Sequence, residues 1–347
     1  MQPDLSTLHP NQSPLYMALD DPVLHQFISY LSQKKSEQES NPHAHVEIEL
    51  SRSFINRVRD SFKQNIVDGE RHLHSLAHIL ASDLLESEFE LHSNVIGVLP
   101  DDEDRPFLIR ERISKETLFT VMDIDLGNQM LRNFRYHQND SWVELQLSAN
   151  FVEYLPIGRP ATGVNRLTSR VKAEEELWTK VADEMFHLDQ VVSRDKHLRQ
   201  YSKYIKDIFG IKIVCEDEAT CIDVHEKLKT MQAGDSSLDF VETKNYLTCP
   251  PAEMKRTGWK ALKSVVLWND RLFEIQVQPL GNYHLEIDHM AGPSHRSFKL
   301  GRDKMRDDIA QHIPMYGFYR DLLRMLFTDS AISFESEHAS ITIMENA

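Results

Sequence analysis

The sequence predicts an α+β protein in which a mixed sheet is flanked by helices. Two patterns carry this reading. Short runs alternate in period two, as where Phe273, Ile275 and Val277 interleave with Glu274, Gln276 and Gln278. Elsewhere apolar residues recur at helical spacing, as in Phe54, Ile55, Val58, Phe62 and Ile66. At 347 residues the chain exceeds the usual size of a single core, so two domains are expected.

Taken in order, residues 1–45 read as a lead segment. It is punctuated by Pro3, Pro10, Pro14 and Pro22 and carries one short helical stripe, Leu24, Phe27, Ile28 and Leu31. Residues 46–155 read as a smaller, acidic α+β domain. Its expected strands are Val46–Leu50, Val95–Leu99 and Trp142–Leu147, with helices over Phe54–Ile66 and Leu73–Leu85 and a turn at Asp101–Asp104. Gly158 to Gly163 reads as a linker. The second domain, 159–305, contains expected helices over Ala173–Met185, Arg194–Ile208 and Thr220–Met231. Its β-branched run Ile211–Val214 reads as a strand. Lys263–Trp268 and Leu272–Gln278 read as a hairpin turned at Asn269-Asp270. Residues 306–347 hold one helix around Met315–Leu326 and a weakly alternating tail with Ile341 and Ile343.

Composition excludes several classes. No run of eighteen apolar residues is present, so no membrane span is expected. The first residues lack a basic and then apolar leader, and three cysteines give neither a disulfide framework nor zinc spacing. A reducing cytoplasm fits. The net charge of −15 is concentrated in the first 150 residues, whereas 159–305 are nearly balanced. An acidic front half argues against a bulk nucleic-acid binder.

Four pieces carry chemistry. Glu274 sits on a strand's polar face, either as a solvated edge residue or as a carboxylate that binds a metal or takes a proton. Asp207 precedes Gly210 and a strand, and either ends its segment or converges with Glu274 on Mg²⁺. Arg170 and Lys172 are read as the entry of a helix, with Lys180 near the same side, placed to neutralise a triphosphate or simply to face water. Gly258-Trp259-Lys260-Ala-Leu-Lys263 forms a loop before the hairpin. Two other groups are discounted. His72, His74 and His78 have no following acid in a metalloprotease pattern, and Asp123 and Asp125 read as a loop edge before Gly127.

In this order the four pieces resemble the synthetase domain of the RelA/SpoT alarmone synthetases, over roughly residues 159–305. The resemblance implies a nucleotidyltransferase-like mixed sheet and a Mg²⁺-dependent transfer of pyrophosphate from ATP to the 3′-hydroxyl of GTP or GDP. It implies that Arg170, Lys172, Lys180 and Lys212 hold ATP, and that Asp207 and Glu274 serve the metal and catalysis. Trp259, Lys263, Gln276 and His289 would then serve the acceptor, with Glu286 and His289 standing where the family has a Glu-His pair. The departures are Glu176 for the family's Ser, Lys212 for its strand Arg, and Thr257, Ala261 and Lys263 for its loop Asn, Ser and His. Gln278 replaces an Arg, and extra residues within Pro250–Arg256 lengthen the loop. A Lys in place of an Arg keeps the charge but loses the bidentate fork. The acceptor side is altered most, so a toxin-like relative acting on an adenine nucleotide or a tRNA 3′ end, or a degenerate nucleotide-sensing module, is the alternative expectation. The family's hydrolase His-Asp doublet and its ribosome-associated modules are not seen in the sequence. Hydrolase activity and ribosome-linked activation are therefore not expected, while a homo-oligomer is allowed.

Overall fold

The computed structural model describes residues 21–41, 43–99, 102–138, 141–158, 162–171, 182, 208–248, 259–290, 306–307, 309–311, 313–327 and 339–344. Helix α1 (Pro22–Ser40), strand β1 (Val46–Ser51) and the long helix α2 (Arg52–Leu85) come first. They are followed by β2 (Phe89–Leu99), β3 (Asp102–Ile113), α3 (Lys115–Thr120) and α4 (Asp123–Asn133). Next come β4 (Arg135–Gln138), β5 (Ser141–Glu144), β6 (Gln146–Pro156) and β7 (Val164–Val171). Beyond them lie β8 (Phe209–Cys215), α5 (Glu218–Thr230), β9 (Gln232–Ala233), β10 (Ser236–Ser237) and β11 (Asp239–Asn245). The remaining elements are β12 (Leu262–Trp268), β13 (Arg271–Pro279), α6 (Leu280–Met290), α7 (Pro314–Phe327) and β14 (Ala339–Met344). The chain divides into two units. One comprises residues 1–67, 173–206 and 301–347, and the other comprises 68–172 and 207–300.

In the first unit, Asp21 caps α1. Its carboxylate accepts from the Val23 and Leu24 amides at 2.9 and 3.0 Å, and Pro22 stands where a helix needs no amide donor. The stripe Leu24, Phe27, Ile28 and Leu31 is buried against Met315, Tyr316, Phe318, Tyr319, Leu322 and Leu323 of α7. β1 and β14 pair in parallel, from Val46 opposite Ala339 to Ser51 opposite Met344. Alternate side chains (Val46, Ile48 and Leu50, with Ala339 and Ile341) turn into the same core. The buried Tyr319 hydroxyl donates to the Leu31 carbonyl at 2.8 Å.

The second unit is built on one eight-stranded mixed sheet, in the order β11-β12-β13-β8-β7-β6-β2-β3. Only β13 and β8 pair in parallel within it. The β12–β13 hairpin turns at Asn269 and Asp270, both with positive φ (46° and 58°), as a tight two-residue hairpin requires. One face is mainly apolar: Phe209, Ile211 and Ile213 of β8 lie beside Phe273, Ile275 and Val277 of β13. α5 covers part of this face with Cys221, Val224 and Leu228, and its buried His225 bonds the Ser264 hydroxyl at 2.9 Å. The part of α2 after Asp68 covers more, with Gly69 directly on the Phe209 ring. The opposite face carries the polar residues of the same strands.

Several expectations are corrected. Arg170 lies in β7, opposite Gly210, and not at a helix entry, because β6 and β8 supply backbone partners on both sides of its strand. The two helices expected before residue 85 are one helix, α2. Asp102 opens a strand where a turn was expected. Asp123 and Asp125 occupy the first turn of α4, where acids suit the helix's positive end. The sheet also runs through the expected division at 155–159. β6 and β7 pair across it, joining residues 89–156 to the strands that follow.

Candidate active site

Strand register sets the polar face. Across β12, β13, β8, β7 and β6, one row runs Lys263, Gln276, Lys212, Thr168, Glu153. The neighbouring row places Glu274 opposite Gly210, and Gly210 opposite Arg170. With strands spaced about 4.8 Å apart, the backbones of Glu274 and Arg170 lie about 10 Å apart, with a glycine between them. A Cβ added at Gly210 would meet nothing closer than the Arg170 carbonyl at 3.9 Å. The row thus sets Glu274 and Arg170 on one face of the sheet with a glycine, and so no side chain, between them.

Glu274 is 2% exposed. Its carboxylate pairs with the Lys263 ammonium and accepts from the Gln276 amide. Lys263 and Gln276, expected at the acceptor, thus orient the candidate catalytic carboxylate. Among the described residues, the buried Gln276 Oε1 has no hydrogen-bond partner.

A second node centres on Glu286 of α6. Lys212 donates to it at 2.7 Å, Gln278 at 2.8 Å and the Trp259 indole at 2.8 Å. Burial alone would push the Glu286 carboxyl up. The Lys212 ammonium and these hydrogen bonds more than offset that and hold it below its ordinary value. Lys212, expected on ATP, is held by this carboxylate. Trp259, expected to stack on a base, has its indole N–H committed to Glu286 and its ring edge-on to Tyr246 at 5.5 Å. Gln278, which stands where the resembling family has Arg, also accepts from Asn282 at 2.9 Å. Asn282 in turn accepts from the Lys260 amide at 3.0 Å. These bonds fasten the start of the β12 approach to α6. Asp207, Lys172, Lys180 and the side chain of His289 lie outside the described residues.

Sequence reading missed two groupings. On the polar face, Glu153 accepts from Arg166 at 2.6 Å, lies 3.2 Å from Arg110 and accepts from the Tyr283 hydroxyl at 3.3 Å. Burial and the nearby Glu153 charge push the Tyr283 hydroxyl up to about 12. On the apolar face, Glu70 and His74 of α2 meet Asp123 of α4. Burial alone would lower the His74 imidazole. The Asp123 and Glu70 charges outweigh it and lift the ring to about 9, while burial raises Glu70. The spacing of four between Glu70 and His74 was visible in sequence, but their partner lies some fifty residues on.

Residues 169–290 match a protein-family model described as the region found in RelA / SpoT proteins. No curated protein matches the chain. Among solved structures, it is similar to the small alarmone synthetase 1 from Bacillus subtilis bound to its product pppGpp. That likeness has 19% identity and a TM-score of 0.26, and covers 48% of this chain and 75% of that one. The same synthetase bound to AMPCPP matches at 16% identity and a TM-score of 0.24, covering 48% of this chain and 78% of the other. A GTP pyrophosphokinase family protein from Streptococcus pneumoniae matches at 16% identity and a TM-score of 0.25, over 47% and 74% of the two chains. Among the described residues no helix is long and apolar enough to cross a membrane.

Proposed function

We propose that the RelA/SpoT region at residues 169–290 is an ATP-dependent pyrophosphokinase whose acceptor is the 3′-hydroxyl of GTP or GDP. The observation that carries this reading is the lane formed by Glu274, Gly210 and Arg170, a buried carboxylate and a guanidinium held in one strand row with no side chain between them. The attacking 3′-oxygen bonds to the β-phosphorus of ATP, the bond from that phosphorus to the α-phosphate oxygen breaks, and AMP leaves. Glu274 takes the hydroxyl proton as the oxygen attacks. Arg170 offsets charge on the transferring phosphates, so rate comes from positioning and charge neutralisation.

The donor set suits Mg²⁺, which prefers one or two carboxylates together with phosphate and water oxygens. Glu274 supplies one carboxylate, the orphaned Gln276 Oε1 lies beside it, and Asp207 would supply the second. When bound, the ion would draw charge from the donor phosphates. Lys263 and Gln276 hold the Glu274 carboxylate in place.

One observation favours a different acceptor. Lys263 is engaged by Glu274, and Ala261 is fully buried, so two positions of the family's acceptor loop are turned to other tasks. An adenine nucleotide or a tRNA 3′ end is therefore the second reading. Incubation with γ-labelled ATP, Mg²⁺ and, in turn, GTP, GDP, ATP and tRNA separates the two. A labelled guanosine product, absent with Glu274→Gln, is the expected result. Label in adenosine or tRNA moves the acceptor, and no label with any acceptor removes the reading.

A further inference from the structure

Glu70, His74 and Asp123 lie on the helix-covered face of the sheet, away from the Glu274 lane. Each has a ligand-type atom within 4.8 Å of the others. Glu70 and His74 share a helix face one turn apart, and α4 delivers Asp123 from its first turn. The His74 Nε2 lies 3.5 Å from Glu70 Oε1 and 3.2 Å from Asp123 Oδ1. Metal–ligand bonds of 2.0–2.2 Å in a tetrahedron place neighbouring ligand atoms about 3.4 Å apart, so these two separations match its edges.

Among the described residues, the buried Asp123 Oδ2 has no hydrogen-bond partner. His74 is 1% exposed, and its Nε2 faces both carboxylates, at 3.5 and 3.2 Å. Its other nitrogen lies 3.5 Å from the Ser169 hydroxyl, the outer contact that orients a metal-bound imidazole. The Asp123 amide donates to Glu70 Oε1 at 2.5 Å, which fixes that carboxylate.

We propose that Glu70, His74 and Asp123 supply three ligands to one buried Zn²⁺, at a site separate from the phosphate-handling lane and independent of the acceptor's identity. A nitrogen ligand in a buried, water-poor setting suits Zn²⁺ and does not suit Mg²⁺, which keeps oxygen ligands and several waters.

The test is metal content. Full-length protein from zinc-supplemented cells, with any affinity tag removed, is dialysed and analysed by elemental mass spectrometry. About one Zn²⁺ per chain is expected in the wild type, falling about tenfold or more in His74→Gln and Asp123→Asn. Glu274→Gln should keep its zinc, which separates this site from the proposed catalytic one. Should the ligand variants fail to fold, the wild type is refolded with Zn²⁺ or with a chelator and the melting temperatures compared. A higher melting temperature with Zn²⁺ supports the site. Zinc-free wild type with no such shift, or zinc retained equally by the ligand variants, overturns the proposal.

Discussion

Glu286 shows how one carboxylate organises a region. It accepts from a lysine, an indole and an amide on three separate segments, so its removal leaves donors stranded together. Glu286→Gln should cost about 1–3 kcal/mol in urea denaturation at pH 7, the lower part of that range reflecting partial exposure. The folded carboxyl is held below its ordinary value of 4.5. Its contribution is therefore fully present above about pH 4.5 and is lost as pH falls through the lower folded value. The variant should accordingly show a flatter acid limb of stability than the wild type. Gly210 tests the lane directly. Gly210→Val has room for its Cβ and suits a strand, so stability should shift by less than about 1 kcal/mol. Its branched side chain would fill the space between Glu274 and Arg170, and transfer should fall by about tenfold or more in the labelled-ATP assay. A variant that transfers normally removes the lane from the mechanism.

At the scale of elements, the contact between α2 and β8 reverses a propensity rule. Glycine inside a helix costs about 1 kcal/mol against alanine, so Gly69→Ala would be expected to stabilise. Here a Cβ would lie 2.0 Å from the Phe209 ring, and that ring is buried against Phe273 at 6.0 Å. Gly69→Ala should instead destabilise by about 1–3 kcal/mol, with Phe209→Leu in the same chain recovering part of the loss. Denaturant melts of these two variants against the wild type decide the sign. Such close approaches are invisible in sequence, where Gly69 reads only as a weak helix position. The β12–β13 hairpin was legible because its alternation and its Asn269-Asp270 turn are local. Arg170 was not, since its strand is defined by partners in β6 and β8.

At the scale of the whole molecule, the sequence revealed the stripes but not how they pair. The α1 stripe and the α7 stripe each read as an amphipathic helix, and nothing local says they form one core. The sheet likewise gathers strands from both sides of the Gly158–Gly163 segment, which reads as a linker. Within the first unit, Tyr319→Phe should lose about 1 kcal/mol by deleting the buried hydroxyl's hydrogen bond to the Leu31 carbonyl, which keeps its helical partner. Ile341→Ala should lose about 2–4 kcal/mol by emptying core volume beneath β14. Both are read as lowered melting temperatures with secondary structure retained. The β1–β14 pairing also has a consequence in time. Roughly 290 residues separate the two strands, and at 5–20 residues per second a ribosome needs roughly 15–60 s to make them. For that interval the nascent chain carries Leu24, Phe27, Ile28 and Leu31 without the late helix and strand that cover them. This core, begun long before it is completed, is thus late to close, and until then it is a ready substrate for a holdase chaperone.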